Sequence, residues 1–220
     1  MPLSSSGIRY HFQKGYSKKV SDAARAILYL ASQSPRRRRL LRQLRRPFRV
    51  VPSGYREVID HDASPSENAV RNATGKALHA RVPRRACGVI IAADTFLYFH
   101  RQVIGKPRTT RAAYRLLRSL SGKSHWVYTG LCLRDLQSGH MRVSYDKTKV
   151  TFKPLSDEVI TRLFTRSSPL DKAGGYAIQE SRGELIARIE GSRSNVIGLP
   201  LELLRRELTA FSHPHRLVCS

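Results

Sequence analysis

Ile27-Leu28-Tyr29-Leu30-Ala31-Ser32-Gln33-Ser34-Pro35-Arg36-Arg37-Arg38-Arg39-Leu40-Leu41 is the stretch that sets the fold class. Its first five residues form a short apolar run, the pattern of a buried strand. Ser34 before Pro35 then offers a hydroxyl N-cap followed by proline at the first helical position, where the missing N–H costs nothing. Leu40, Leu41 and Leu44 give the ensuing helix its apolar stripe. A strand, a tight turn and a helix start crowded with arginines aim free backbone N–H groups, the positive helix end and guanidinium forks at one point. Such a point suits a phosphate.

Working outward, Ser64-Pro65-Ser66-Glu67 combines a capping box with proline at the first helical position. Ala69, Val70, Ala73, Ala77 and Leu78 are expected to form the buried face of that helix, with Lys76 beside the stripe. Gly88-Val89-Ile90-Ile91-Ala92-Ala93 is a continuous apolar run, the mark of a central strand covered on both faces, and it leads directly into Asp94-Thr95. Open α/β sheets place ligand chemistry at the end of such a strand, although an Asp that only caps a loop has the same local pattern.

Thr109 or Thr110 caps a third helix that Gly122 ends, and Trp126–Leu133 and Met141–Phe152 read as two long strands joined through Gln137-Ser138-Gly139. Ser156 caps a further helix. Asp171–Gln179 reads as a loop and then a strand, Gly191–Gly198 as a glycine-bounded loop, and Leu199–Leu208 as a final helix. The expectation is a mixed α/β domain over residues 26–212, with a basic extension at 1–25, a tail at 213–220, and no linker dividing the domain.

Bulk composition adds one abnormal number. The 220 residues carry 40 Lys+Arg against 16 Asp+Glu, a net charge of +24. Residues 1–50 hold 13 of the cations and one acid, so the excess is clustered. A basic cluster serves nucleic acid, a ribosome or a small polyanion equally well, or is simply a solvated face. The arginines beyond Arg37 cannot all face one ligand, because a helix turns 100° per residue; most are expected to be solvated. Cys87, Cys132 and Cys219 match no zinc spacing and are expected to be thiols in a reducing, cytoplasmic setting. No apolar run is long enough for a bilayer, and no export signal is visible. The Arg-rich start leaves an organelle transit peptide open. His125 is expected to be structural, since no partner acid accompanies it.

Several strings together resemble one known family. Leu30-Ala31-Ser32-Gln33-Ser34-Pro35-Arg36-Arg37, Ala93-Asp94-Thr95, Ile104-Gly105-Lys106-Pro107, Leu120-Ser121-Gly122 and Val127-Tyr128-Thr129-Gly130 occur in order. Pro169-Leu170-Asp171-Lys172-Ala173-Gly174 with Ile178-Gln179, Arg188-Ile189-Glu190-Gly191-Ser192 with Asn195-Val196, and Gly198-Leu199-Pro200-Leu201 follow. The series is similar to the Maf family of nucleotide pyrophosphatases, and it spans about residues 26–208. The resemblance implies a mixed sheet with flanking helices, two lobes around a deep cleft, and kinship with inosine triphosphate pyrophosphatases. It also implies hydrolysis of a nucleoside triphosphate to monophosphate and pyrophosphate with a divalent metal, magnesium or manganese. The Ser-Pro-Arg-Arg, Tyr-Thr-Gly and Asp-Lys-Ala-Gly strings resemble the branch acting on dTTP and UTP, which leaves modified pyrimidine nucleotides open.

By the same resemblance, Asp94 matches the general base and Glu57 an acid that helps hold the metal, with Asp94 a second candidate ligand. Ser32, Arg36, Arg37, Lys76 and Lys106 match the set that grips the triphosphate. Arg36, Thr95 and Gln179 match positions tied to base selection, and a Gln presents both donor and acceptor to a base edge. Two departures stand out: Arg56 replaces a usual acid, and Glu180-Ser181-Arg182 follows Gln179 where glycine is usual. Expected partners are the nucleotide and a second copy of the chain. Nucleic acid stays open on charge grounds, and no membrane is expected. The competing classes are a nucleic-acid- or ribosome-binding protein with an inactive cleft, and a purine-preferring inosine triphosphate pyrophosphatase relative.

Overall fold

The computed structural model describes residues 26–211 other than 167, 171 and 182. The expected extension at 1–25 and tail at 213–220 therefore lie outside the described residues. Among the described residues seven strands form one mixed sheet. They are β1 (Leu28–Ala31), β2 (Phe48–Val51), β3 (Val89–Phe99), β4 (Gln102–Ile104), β5 (Ser124–Asp135), β6 (Met141–Phe152) and β7 (Ile186–Glu190). The spatial order is β2-β1-β3-β5-β6-β7, and β4 pairs with β3. β1 runs parallel to β2 and β3, while the β3–β4, β3–β5, β5–β6 and β6–β7 pairs are antiparallel. The described helices flanking the sheet are α1 (Pro35–Arg42), α2 (Pro65–Leu78), α3 (Thr110–Leu120), α4 (Asp157–Arg166), α5 (Arg193–Ile197) and α6 (Leu201–Ala210).

Alternation along β3 sorts the core. Val89, Ile91 and Ala93 pack with Leu40 and Leu41 of α1 and Leu201 and Leu204 of α6. Ile90 and Ala92 pack on the opposite face under Ala73 and Ala77 of α2. Further along, Leu97 and Phe99 join Val127 of β5, Leu117 and Leu120 of α3, and Ile160 of α4. Burying one such leucine completely stabilises the fold by about 2 kcal/mol. Between these clusters the sheet carries Asp94 and Thr95 on β3, in register with Gly130 and Thr129 on β5. A polar band thus interrupts the apolar core.

The turn chemistry of α1 and α2 is as expected. The Ser34 hydroxyl accepts from the Arg37 amide, and Ser64 and Glu67 form the reciprocal capping box. Three expectations need correction. β3 does not end at Asp94 but continues to Phe99, because β5 pairs with it through Tyr98. The described residues 172–179 do not turn into a strand; two 3₁₀ turns, Ala173–Gly175 and Ile178–Glu180, occupy the region, and Gly174 and Gly175 take φ of +72° and +75°. The 191–198 loop contains α5, which the Ser192 hydroxyl caps by accepting from the Asn195 amide at 3.2 Å.

The buried face of α2 also differs from the expected one. Leu78 is exposed, whereas Asn68 and Asn72 are fully buried. Each asparagine clamps the preceding loop with both ends of its amide. Asn68 accepts from the Asp60 N–H and donates to its carbonyl, both at 2.8 Å. Asn72 does the same with Val58 at 3.0 and 2.8 Å. These buried amides fix the segment that carries Glu57. On the sheet side, a Cβ on Gly130 would stand 2.1 Å from the Ala69 carbonyl oxygen, so only glycine lets α2 lie this close to β5. Lys76, two turns beyond Ala69, is thereby lowered over Asp94.

His125 is buried. Its ring meets the Tyr176 hydroxyl at 2.6 Å and stands edge-on to Phe152. Burial holds its pKa down at about 4. The unfolded chain therefore binds a proton near the ordinary histidine value of 6.5 while the folded one does not. Stability attributable to His125 is full above that value and falls as pH drops toward 4. Denaturant unfolding should lose about 2 kcal/mol between pH 7 and pH 5 from this residue. His125→Gln should abolish that part of the slope; an unchanged slope would contradict the assignment. Cys132 is a buried thiol, as expected, and Cys219 lies outside the described residues. Among the described residues no helix is long and apolar enough to cross a membrane.

Candidate active site

The site arises from a gap in the sheet. On one edge of β3, β1 pairs only as far as Ile91, and β4 begins pairing at Leu97. Between these two, no described strand covers that edge. A cavity of about 420 Å³ is lined there by residues from the β1–α1 turn, the 53–57 loop, α2, β3, the β4–α3 loop, the 172–179 turns and α5. Since neighbouring residues of a strand face opposite sides, Asp94 points to α2 and Thr95 to α1 and α5, yet the gap exposes both to one space. Ser32, Arg36, Arg37, Glu57, Lys76, Asp94, Thr95, Lys106 and Gln179 all line it.

On the α2 side, Lys76 bridges two carboxylates. Its ammonium donates to Glu57 Oε1 at 2.6 Å and makes a very short contact with Asp94 Oδ1. Lys106 Nζ lies 3.6 Å from Glu57 Oε2. Burial pushes the Asp94 carboxyl above its ordinary range; Lys76 opposes this, and the Glu57 charge adds to it. Burial also acts to raise Glu57, but Lys76, Lys106 and Arg37 outweigh it and leave that carboxyl below its usual value. Two carboxylates driven apart in this way divide the labour: Asp94 is suited to take a proton, and Glu57 to stay charged.

On the α1 side, Arg37 is held as a fork. Nε donates to the Gly198 carbonyl at 2.7 Å, Nη2 to Thr95 Oγ1 at 3.0 Å, and Nη1 reaches Ser32 Oγ at 3.5 Å. Burial lowers the Arg37 pKa, while Asp94 and Glu57 act against that shift. Ser32 Oγ also accepts from the Ser34 amide at 3.1 Å, so its oxygen is used as an acceptor and its proton is available to a ligand oxygen.

Arg38, Arg39, Arg42, Arg45, Arg46 and Arg49 do not line the cavity. Arg56 is exposed and also outside it, so this departure from the family pattern adds no cation to the cavity wall. Reading the residues one by one missed Tyr55 and Gly198, which do line it, and Lys172 lines it as well. Lys172, buried, donates to the Ser168 carbonyl. The second glycine of the Gly191–Gly198 pair was the available signal for Gly198.

Two carboxylates facing a larger number of cations, at a break in a mixed α/β sheet, form a site suited to a polyanion and to proton transfer beside it. The sequence comparisons agree in kind. Residues 27–211 match the model of the Maf-like proteins, and the chain belongs to that family. It is 40% identical over 177 residues to a protein named dTTP/UTP pyrophosphatase from Clostridium tetani, covering 80% of this chain and 92% of that one. A protein of the same name from Carboxydothermus hydrogenoformans is 40% identical over 186 residues, covering 84% and 99%. One from Gloeobacter violaceus is 41% identical over 184 residues, covering 84% and 95%. Among solved structures, the Staphylococcus aureus Ham1 protein aligns with 84% of this chain at 14% identity and a TM-score of 0.47. Family membership rests on the sequence matches alone.

Proposed function

We propose that this protein is a nucleoside triphosphate pyrophosphatase that converts dTTP and UTP to the monophosphate and pyrophosphate. The observation that carries this reading is the Asp94–Lys76–Glu57 bridge inside a cation-lined cavity. Family membership and the names of the relatives support it.

In the proposed reaction one water attacks the α-phosphorus, one P–O bond to the β-phosphate breaks, and pyrophosphate departs. Asp94 takes the proton of that water. Its raised pKa makes it a stronger base than an exposed carboxylate while leaving it largely ionised only on the neutral side of its titration. Lys76 orients the Asp94 carboxylate through Oδ1, so Oδ2 is the atom left to accept a proton. Arg36, Arg37, Lys76 and Lys106, with the Ser32 hydroxyl, stabilise the charge that collects on the departing group, the largest demand in this class of chemistry. In this reading Thr95 and Gln179, which line the cavity, contact the base.

The donors fit a hard divalent cation such as magnesium or manganese. Asp94 Oδ2 is buried and has no hydrogen-bond partner among the described residues, and Glu57 keeps its charge beside it. Glu57 would hold the ion directly and Asp94 through a shared water, with phosphate oxygens completing its shell. When bound, such an ion neutralises phosphate charge and polarises the bond to be broken.

The test is a panel of canonical and modified triphosphates assayed for pyrophosphate release with magnesium or manganese. UTP and dTTP should head the panel; a purine preference, or no turnover, would overturn the reading. No described feature favours a nucleic-acid-binding role with an inactive cavity over this one.

A further inference from the structure

The hydrogen bonds behind Thr95 have only one consistent direction. Arg37 Nη2 carries protons and no lone pair, so it donates to Thr95 Oγ1 at 3.0 Å. The Asn195 carbonyl carries lone pairs and no proton, so Thr129 Oγ1 donates to it at 3.1 Å. A threonine hydroxyl has a single proton. Having given its own to Asn195, Thr129 can only accept from Thr95, whose oxygen lies 3.0 Å away. The chain therefore runs Arg37 to Thr95 to Thr129 to the Asn195 carbonyl, with every proton assigned.

This arrangement is anchored from below. Thr129 is in register with Thr95 across the β3–β5 pair and is fully buried. Asn195, also fully buried, is tied to β5 and β6 through donation to the Val127 carbonyl at 3.1 Å and to Thr148 Oγ1 at 2.9 Å. Its carbonyl also accepts from the Gly198 amide, and Gly198 in turn holds Arg37 through its own carbonyl. Neither α5 nor β5 can shift without disturbing the Arg37 fork.

We infer that Thr129 is a positioning residue for base selection: by taking the Thr95 proton, it leaves the Thr95 oxygen only a lone pair to offer a ligand in the cavity. A base that meets Thr95 through its ring position 3 must therefore bring a hydrogen-bond donor at that atom. Uracil and thymine carry an N–H at ring position 3, where cytosine carries an unprotonated nitrogen. Presenting a lone pair to a lone pair leaves both unpaired and desolvated, which penalises cytosine. The inference rests on the pyrophosphatase reading and deepens it, because it assigns a physical source to a preference for UTP and dTTP over CTP.

Thr129→Val keeps the shape and removes the acceptor, which frees the Thr95 proton to turn into the cavity. The ratio of kcat/KM for UTP to that for CTP should fall about 10-fold, and Thr129→Ser should restore it. A purely structural role would lower turnover of both nucleotides and leave the ratio unchanged. A second measurement needs no variant: the unmodified enzyme should use N3-methyl-UTP, which lacks the donor, at least 10-fold less well than UTP. Equal use of UTP and N3-methyl-UTP, or an unchanged UTP/CTP ratio in an active Thr129→Val enzyme, overturns the inference alone. Failure of the unmodified enzyme to hydrolyse UTP or dTTP overturns both the inference and the function beneath it.

Discussion

Asp94→Asn is expected to lower kcat for pyrophosphate release by about a thousand-fold, the usual worth of a positioned general base. The substitution keeps the shape and can still accept from Lys76, but the amide cannot take a proton from water. Because burial raises the Asp94 pKa, the charged carboxylate is the form the fold disfavours. Stability tied to this group is present below the ordinary carboxylate pKa and is lost as pH rises through the raised one. Removing the charge should therefore leave the melting temperature at neutral pH unchanged or higher while activity collapses. In the unmodified protein, the acid limb of kcat/KM should lie above the ordinary carboxylate range. A variant that is inactive because it is unfolded, or one that is fully active, would each contradict the assignment.

Lys76→Met is the second large effect, and it acts on stability as well as on rate. The Lys76 side chain is 9% exposed and that of Asp94 5%, and the lysine is the cation between Asp94 and Glu57. Taking one partner from a buried pair costs about 3 kcal/mol, since a charge stays behind without compensation. The cost is limited by protonation of Asp94, whose pKa climbs further once Lys76 is gone. The loss should therefore be small at acid pH and grow as pH rises through that pKa, and activity at neutral pH should disappear. Adding Asp94→Asn to Lys76→Met should return most of the stability, a coupling that a double-mutant cycle reads directly. Additive losses would show that the two side chains do not share a bond.

Local chemistry made much of this fold readable. Ser34-Pro35 and Ser64-Pro65-Ser66-Glu67 carry their caps within four residues, and the apolar run from Val89 to Ala93 declares a buried strand. β2 and β7 went unread because their burial patterns are mixed and half-exposed, so neither alternation nor a continuous run marks them. The extension of β3 past Asp94 was hidden because its continuation depends on pairing with β5, 28 to 34 residues away.

The nine candidate residues could be picked out through the family resemblance, and they line one cavity. What holds them could not be seen that way. Asn68 and Asn72 look like surface polar residues within a helix, yet they fix the Glu57 loop. Gly130 matters for the approach of α2, and Asn195 for a proton assignment on a residue 66 positions away. Such long-range contacts leave no periodicity in a sequence. The basic excess divides in the same way: Arg36 and Arg37 reach the cavity, while the arginines from Arg38 to Arg49 do not.

The most direct measurement is phosphorus NMR of the products formed from UTP by the unmodified protein with magnesium, run beside Asp94→Asn. Equal amounts of UMP and pyrophosphate from the former, and almost none from the latter, are predicted. Release of UDP with phosphate, or equal turnover by both proteins, would contradict the account.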